Sequence, residues 1–236
     1  MSRPTHRAVV HRVWDLNPRI RQLELEMAKG EIFDFHPGQF IALHLNSNGQ
    51  AATRAYSIAT ATRTDNRFEL CLNVIPEEET SAWFSGLKAG DTVHFTGPYG
   101  AFKLRQPLDR VSAFIANGTG IAPIRAMLQE LYRKRREAEA WLIFGVRREA
   151  DIIFREEFER LARENSGFHF VPTLSRPAPD WTGHTGYVQK HIKKYLEGRE
   201  GFHAYVCGRP EMVEDVRRLL RGMGYTAEAI SSERYE

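Results

Sequence analysis

The chain has 236 residues, 42% of them hydrophobic and 27% charged, with a formal net charge of +3, which suits one large or two ordinary domains with a real core. No apolar run approaches the ~20 residues needed to span a bilayer, and Met1-Ser2-Arg3-Pro4-Thr5-His6 lacks the apolar stretch of a signal peptide, so a cytoplasmic protein without membrane insertion is expected. Two cysteines, Cys71 and Cys207, exclude a disulfide framework and an intrinsic iron–sulfur cluster, which normally takes four thiolates; electrons, if moved, must ride on an organic cofactor.

Residues 1–105 read as β structure. Ala8–Val13, Ile20–Glu26, Gln39–Leu45, Arg54–Ala59, Arg67–Asn73 and Thr92–Phe95 are short, partly alternating and rich in β-branched and aromatic residues. Turn chemistry separates them at Asn17-Pro18, Lys29-Gly30, Pro37-Gly38, Asn48-Gly49, Asp65-Asn66 and Gly90-Asp91. Six such strands predict a small antiparallel barrel.

The period changes over 106–236. Val111–Ala116 is continuously apolar, as in a strand buried on both faces. Ile121, Ile124, Leu128 and Leu131 then recur at helical spacing. Strands at Trp141–Val146, Phe168–Leu174 and Ala204–Cys207 alternate with helices carrying Phe158 and Leu161, Ile192 and Leu196, and Val213 and Val216. This alternation predicts a doubly wound parallel sheet. The basic run Arg133–Arg136 falls at a helix end, where the dipole favours it; with no zinc-finger or RNA-binding motif, no nucleic acid is expected.

Three segments carry chemistry. Gly118-Thr119-Gly120, between a strand and a helix, lets backbone approach a ligand where free N–H groups and the helix dipole suit a pyrophosphate; the third glycine of G-x-G-x-x-G is absent. Arg54-Ala55-Tyr56-Ser57 offers a phosphate fork, a stacking face and a hydroxyl. Cys207-Gly208-Arg209-Pro210 ends a parallel strand, where ligands of such sheets bind.

In their order these segments resemble the ferredoxin–NADP reductase family over nearly the whole chain. His36-Pro37-Gly38-Gln39-Phe40 is similar to its P-G-Q-[FY], Arg54–Ser57 to R-x-Y-[ST], Gly97-Pro98-Tyr99-Gly100 to G-P-x-G, and Gly118–Pro123 to G-T-G-I-A-P. Phe144–Arg147, Cys207–Pro210 and the ending Glu233-Arg234-Tyr235 complete the set. One position departs: the flavin-phosphate loop, usually G-x-x-[ST], reads Glu78-Glu79-Thr80-Ser81, with Glu77 before it.

The resemblance implies an FAD-binding Greek-key barrel followed by an NAD(P)-binding domain, with FMN as the alternative flavin. It implies that Arg54 holds the flavin phosphate, with Ala55 beside it, that Tyr56 packs on the isoalloxazine, and that Ser57 sits near N5. The backbone at Asn73 and Ile75 would contact the flavin, and Thr80 and Ser81 its phosphates. Gly118, Thr119, Gly120 and Gly208 would hold the dinucleotide, and Cys207 and Glu233 would line the nicotinamide pocket. Tyr235 would cover the other flavin face and yield to nicotinamide. Ser175 and Arg176, with Arg147, would grip a 2′-phosphate, which favours NADPH over NADH; His184 stands where some bacterial relatives have a further arginine. The implied partner is a separate ferredoxin or flavodoxin. A free-flavin reductase, an oxygenase reductase component and a non-enzymatic regulatory subunit are the competing readings.

Overall fold

The alternating stretches of the first half become β1 (Thr5–Asn17), β2 (Ile20–Met27), β3 (Phe40–Ser47), β4 (Gln50–Ser57), β5 (Arg67–Asn73) and β6 (Thr92–Tyr99). The computed structural model describes residues 4–47, 50–74, 79–106, 108, 111–198 and 201–235. The six strands form one antiparallel sheet in the order β4-β3-β6-β1-β2-β5. β6 returns to lie between β3 and β1, the interleaving of a Greek key. A bridge between Ile58 and Leu70, with Ala59 N–H donating to Glu69 O at 2.7 Å, joins the two outer strands and closes the barrel.

Pairing fixes which side chains face inward. Leu23 opposes Leu70, and Leu25 opposes Phe68. These residues, with Ile41, Leu43, Val93 and Phe95, are buried in the barrel core; each such side chain contributes roughly 1.5–3 kcal/mol. The outer face of β2 and β5 is also covered, although it carries Gln22, Glu24 and Glu69, all buried. Buried polar groups persist only when paired, and here they are. Arg125 Nη1 lies 2.6 Å from Glu69 Oε2 and donates to Ala59 O at 2.9 Å. Gln22 donates to the same carboxylate, and Arg63 reaches Glu24 at 3.0 Å.

The sequence reading placed a phosphate loop around residues 78–81; the chain is helical there from Glu79, in α1 (Glu79–Gly86). The reason is tertiary. Phe84 is fully buried in the barrel core, while the eight residues are too few to display a helical period.

The second half forms β7 (Ser112–Asn117), α2 (Ile121–Lys134), β8 (Ala140–Val146), α3 (Arg155–Glu164), β9 (Phe168–Leu174), β10 (His184–Thr185), α4 (Gln189–Leu196), β11 (His203–Gly208), α5 (Pro210–Gly222) and β12 (Ile230–Arg234). The sheet runs β10-β9-β8-β7-β11-β12, and every pairing in it is parallel. Ile115, Ile143, Val171 and Val206 pack with Ile192 of α4 and Val213, Val216 and Leu220 of α5. The chain steps outward from β7 to β9 and then returns to place β11 on the other side of β7. That reversal is a topological switch point, where the carboxyl ends of neighbouring strands leave a crevice for a ligand. By contacts, the chain divides into Met1–Leu104 with Arg125–Glu130, and Arg105–Ile124 with Leu131–Glu236.

Candidate functional site

The switch point lies between the carboxyl ends of β7 and β11, and glycines shape both. Gly118–Gly120 forms a single 3-10 turn between β7 and α2. Gly118 has φ +54°, and nothing lies within 4 Å of where a Cβ would stand, so the backbone there is open to a ligand. Gly120 is crowded instead: a Cβ would fall 2.4 Å from Cys207 O and 2.8 Å from Gly208 Cα. Gly208 has φ +148°, and its Cβ would meet Asn117 Oδ1 at 1.9 Å. Asn117 Oδ1 also accepts from Arg209 N–H at 2.9 Å, tying the two strand ends together. No side chain caps the start of α2; Ile121 N–H is taken by the turn carbonyls of Gly118 and Thr119 and Pro123 has no N–H, so an anion here is met by the open glycine backbone and the positive end of the helix dipole. These features fit a dinucleotide pyrophosphate.

Cys207 ends the buried run of β11 and is fully buried. Burial pushes its thiol well above the ordinary range; the Glu233 carboxylate adds to this, and a hydrogen bond with Tyr235 works against it. Glu233 is the register partner of Cys207 across β11 and β12. Tyr235 N–H donates to Gly208 O at 2.9 Å, and Arg234 reaches Glu214 at 3.3 Å. The sequence reading named Cys207, Gly208, Glu233 and Tyr235 separately; the parallel pairing of β11 with β12 brings them together. Sequence reasoning missed β12 because its five residues, Ile-Ser-Ser-Glu-Arg, carry no apolar run.

Ser175 and Arg176 follow β9. Ser175 N–H donates to Val146 O at 3.0 Å, and Arg176 N–H to Arg147 O at 2.8 Å. The strand ends therefore place the two arginines side by side in the backbone, both exposed. His184 is not turned to this edge. Its Nε2 lies 2.8 Å from Tyr195 Oη, and its ring stands 4.9 Å from that of His191. Burial, then His191 and Lys194, lower its pKa. Tyr187, absent from the sequence reading, is one of two large hydrophobic side chains found exposed among the described residues, at 69%. Its signal was position alone, three residues beyond His184.

In the barrel, Arg54 opposes Leu43 and Tyr56 opposes Ile41, so both project from the same strand face. Arg54 is exposed, with Nη1 donating to Thr53 O at 3.1 Å. Tyr56 is half-buried and meets Phe84 of α1 edge-on at 5.4 Å. Ala55 is exposed, and Ser57 is buried. A cation with no carboxylate partner among the described residues and a supported aromatic ring on one face fit a planar ligand with a phosphate tail. Asn73, at the end of β5, is exposed. Ser81 is buried in the first turn of α1. Ile75, Glu77 and Glu78 lie outside the described residues, as does the side chain of Thr80.

Residues 8–104 match the oxidoreductase FAD-binding domain family, and residues 114–218 the oxidoreductase NAD-binding domain family. The chain is 38% identical to ferredoxin–NADP reductase B of Sorangium cellulosum, over 94% of this chain and 93% of that protein. It is 31% identical to phenol hydroxylase P5 protein of Acinetobacter pittii, over 98% of this chain and 65% of that one. The structure of the Amycolatopsis cytochrome P450 reductase GcoB superposes with a TM-score of 0.87 at 30% identity, over 99% of this chain and 71% of that one.

Proposed function

This chain belongs to the oxidoreductases that join an FAD-binding domain to an NAD-binding domain, and from that premise we propose that it carries reducing equivalents between NADPH and bound FAD, and singly to or from a separate ferredoxin or flavodoxin in the cytoplasm. The similarity to a ferredoxin–NADP reductase over nearly the full length of both chains carries this reading.

Bound FAD supplies the chemistry that no side chain here can: it takes up a hydride and yields its electrons one at a time. The protein supplies placement. Arg54 would hold the flavin phosphate, Tyr56 would support the ring from β4 with Ala55 beside it, and Ser57 would offer it a hydroxyl. The backbone of Asn73 would meet the ring edge, a role the resemblance also gives to Ile75. Thr80 and Ser81 meet phosphate at the start of α1, against the charge of Glu77–Glu79. Gly118, Thr119 and Gly120 hold the dinucleotide pyrophosphate, with Gly208 leaving room for it. Cys207 presents a neutral thiol, and Glu233 a carboxylate, to the nicotinamide end. Tyr235, hydrogen-bonded beside Cys207, must move before nicotinamide reaches that thiol, a gating step. Ser175, Arg176 and Arg147 take the 2′-phosphate, and Tyr187 offers adenine a face.

The reductase component of an oxygenase is the second reading, favoured by the similarity to the phenol hydroxylase protein. That protein's whole activity stays with it, because this chain spans 65% of its length. Anaerobic stopped-flow mixing of the purified protein with NADPH or NADH tests both readings. Bleaching of the bound flavin band at least tenfold faster with NADPH is expected. Faster bleaching with NADH removes the 2′-phosphate roles, and protein that reduces only added free flavin is a free-flavin reductase.

A further inference from the structure

We propose that Lys190 is a specificity-determining residue, whose ammonium joins Arg176 in favouring a dinucleotide with a 2′-phosphate over one with a 2′-hydroxyl. The proposal rests on the NADPH reading above and adds to it a residue from a different element.

Gly186 is the starting observation. Its N–H donates to Leu174 O at 2.7 Å, and its carbonyl accepts from Thr173 Oγ1 at 2.9 Å. It is thus pinned to the end of β9, one residue before Ser175. It has φ +96°, and a Cβ built on it would lie 2.7 Å from Lys190 Cδ and 3.1 Å from both Cε and Nζ. The Lys190 side chain therefore lies along the Gly186 backbone, while the residue remains exposed to an incoming ligand. Because Gly186 is bonded to Leu174, the residue before Ser175, the lysine lies along the segment that is fastened to this strand end.

Stability does not explain this placement. Lys190 sits in the first turn of α4, which has no acidic residue there; a cation at that end is disfavoured by the helix dipole. Among the described residues, no carboxylate pairs with Lys190, Arg176 or Arg147. Arg147, Arg176 and Lys190, which follow β8, β9 and β10 in the chain, thus have no carboxylate partner among the described residues. A phosphate dianion supplies a counter-charge, and a ribose hydroxyl does not. Gly186 contributes by being a glycine: a side chain there would expel the lysine stem.

The test is calorimetric titration of the full chain with 2′,5′-ADP and with 5′-ADP, comparing the wild type with Lys190→Met and Lys190→Arg. Met keeps the stem over Gly186 and removes the charge. Lys190→Met is expected to weaken 2′,5′-ADP binding about five- to twentyfold, as for loss of one exposed charge-assisted hydrogen bond, and to leave 5′-ADP binding within twofold. Lys190→Arg should restore most of the loss, and added salt should shrink it. A wild type that prefers 2′,5′-ADP while Lys190→Met keeps that preference overturns the role of Lys190 alone. Equal loss for both ligands makes Lys190 a structural residue. A wild type with no preference overturns both this proposal and the NADPH reading.

Discussion

Cys207 shows how environment, not residue type, sets chemistry. In solution a thiol ionises near pH 8.5; here it is fully buried and faces the Glu233 carboxylate, and both disfavour the thiolate. The structure therefore holds Cys207 as a neutral thiol, not as a nucleophilic thiolate. Iodoacetamide at pH 8, followed by peptide mass mapping, should label Cys207 at least a hundredfold more slowly in the native protein than in urea. Labelling at comparable rates would mean that the thiol is open or ionised. His184 illustrates the same dependence. The sequence puts it near a phosphate site, but its hydrogen bond to Tyr195 makes it a fastening between β10 and α4. Lys190 can lie over Gly186 because that residue has no Cβ.

At the scale of elements, the turn after β7 and the turn after β11 are one construction. Asn117 Oδ1 accepts from Arg209 N–H in the space a Cβ on Gly208 would fill. Gly208→Ala must push Asn117 away, strain a left-handed backbone position and shift the start of α5. The expected result is a loss of dinucleotide affinity of tenfold or more, with little change in flavin content. Titration with NADP+ and the flavin-to-protein absorbance ratio read the two separately. Equal loss of flavin and dinucleotide would assign Gly208 to folding. The motif glycines were legible in the sequence, but the reason for each was not: Gly118 faces open space, whereas Gly120 and Gly208 are fixed by neighbours some ninety residues apart in the chain. The helix α1 was illegible for a related reason, since burial of Phe84 decides it and no local period announces it. β12 was illegible because a partner strand, rather than its own apolar content, makes it a strand.

For the whole molecule, alkaline stability follows from groups that titrate late. The pKa values of Cys207, Tyr132 and Tyr205 are all raised, chiefly by burial. A raised folded-state pKa stabilises fully below the unfolded value and is lost as pH rises past it. Loss should begin near pH 8.5 from Cys207 and steepen above pH 10 from the tyrosines, by up to about 1.4 kcal/mol per pH unit for each group. Urea midpoints between pH 7 and 11 should trace this, and Cys207→Ala should remove the earlier limb only. A wild-type midpoint flat to pH 10 would contradict the burial of the thiol. The sequence by itself determined that six alternating segments precede a strand–helix alternation, and that glycines fall at the ends of the strands, because periodicity and turn chemistry are local properties of the chain. Only the tertiary structure decided that Cys207 and Glu233 share one strand pair with Tyr235 bonded just beyond it, that His184 turns to Tyr195, that Arg125 pairs with a buried Glu69, and that Lys190 folds over Gly186. Each of these depends on register and close packing between residues apart in the chain, and the pairing energy that fixes them exists only once the strands are side by side.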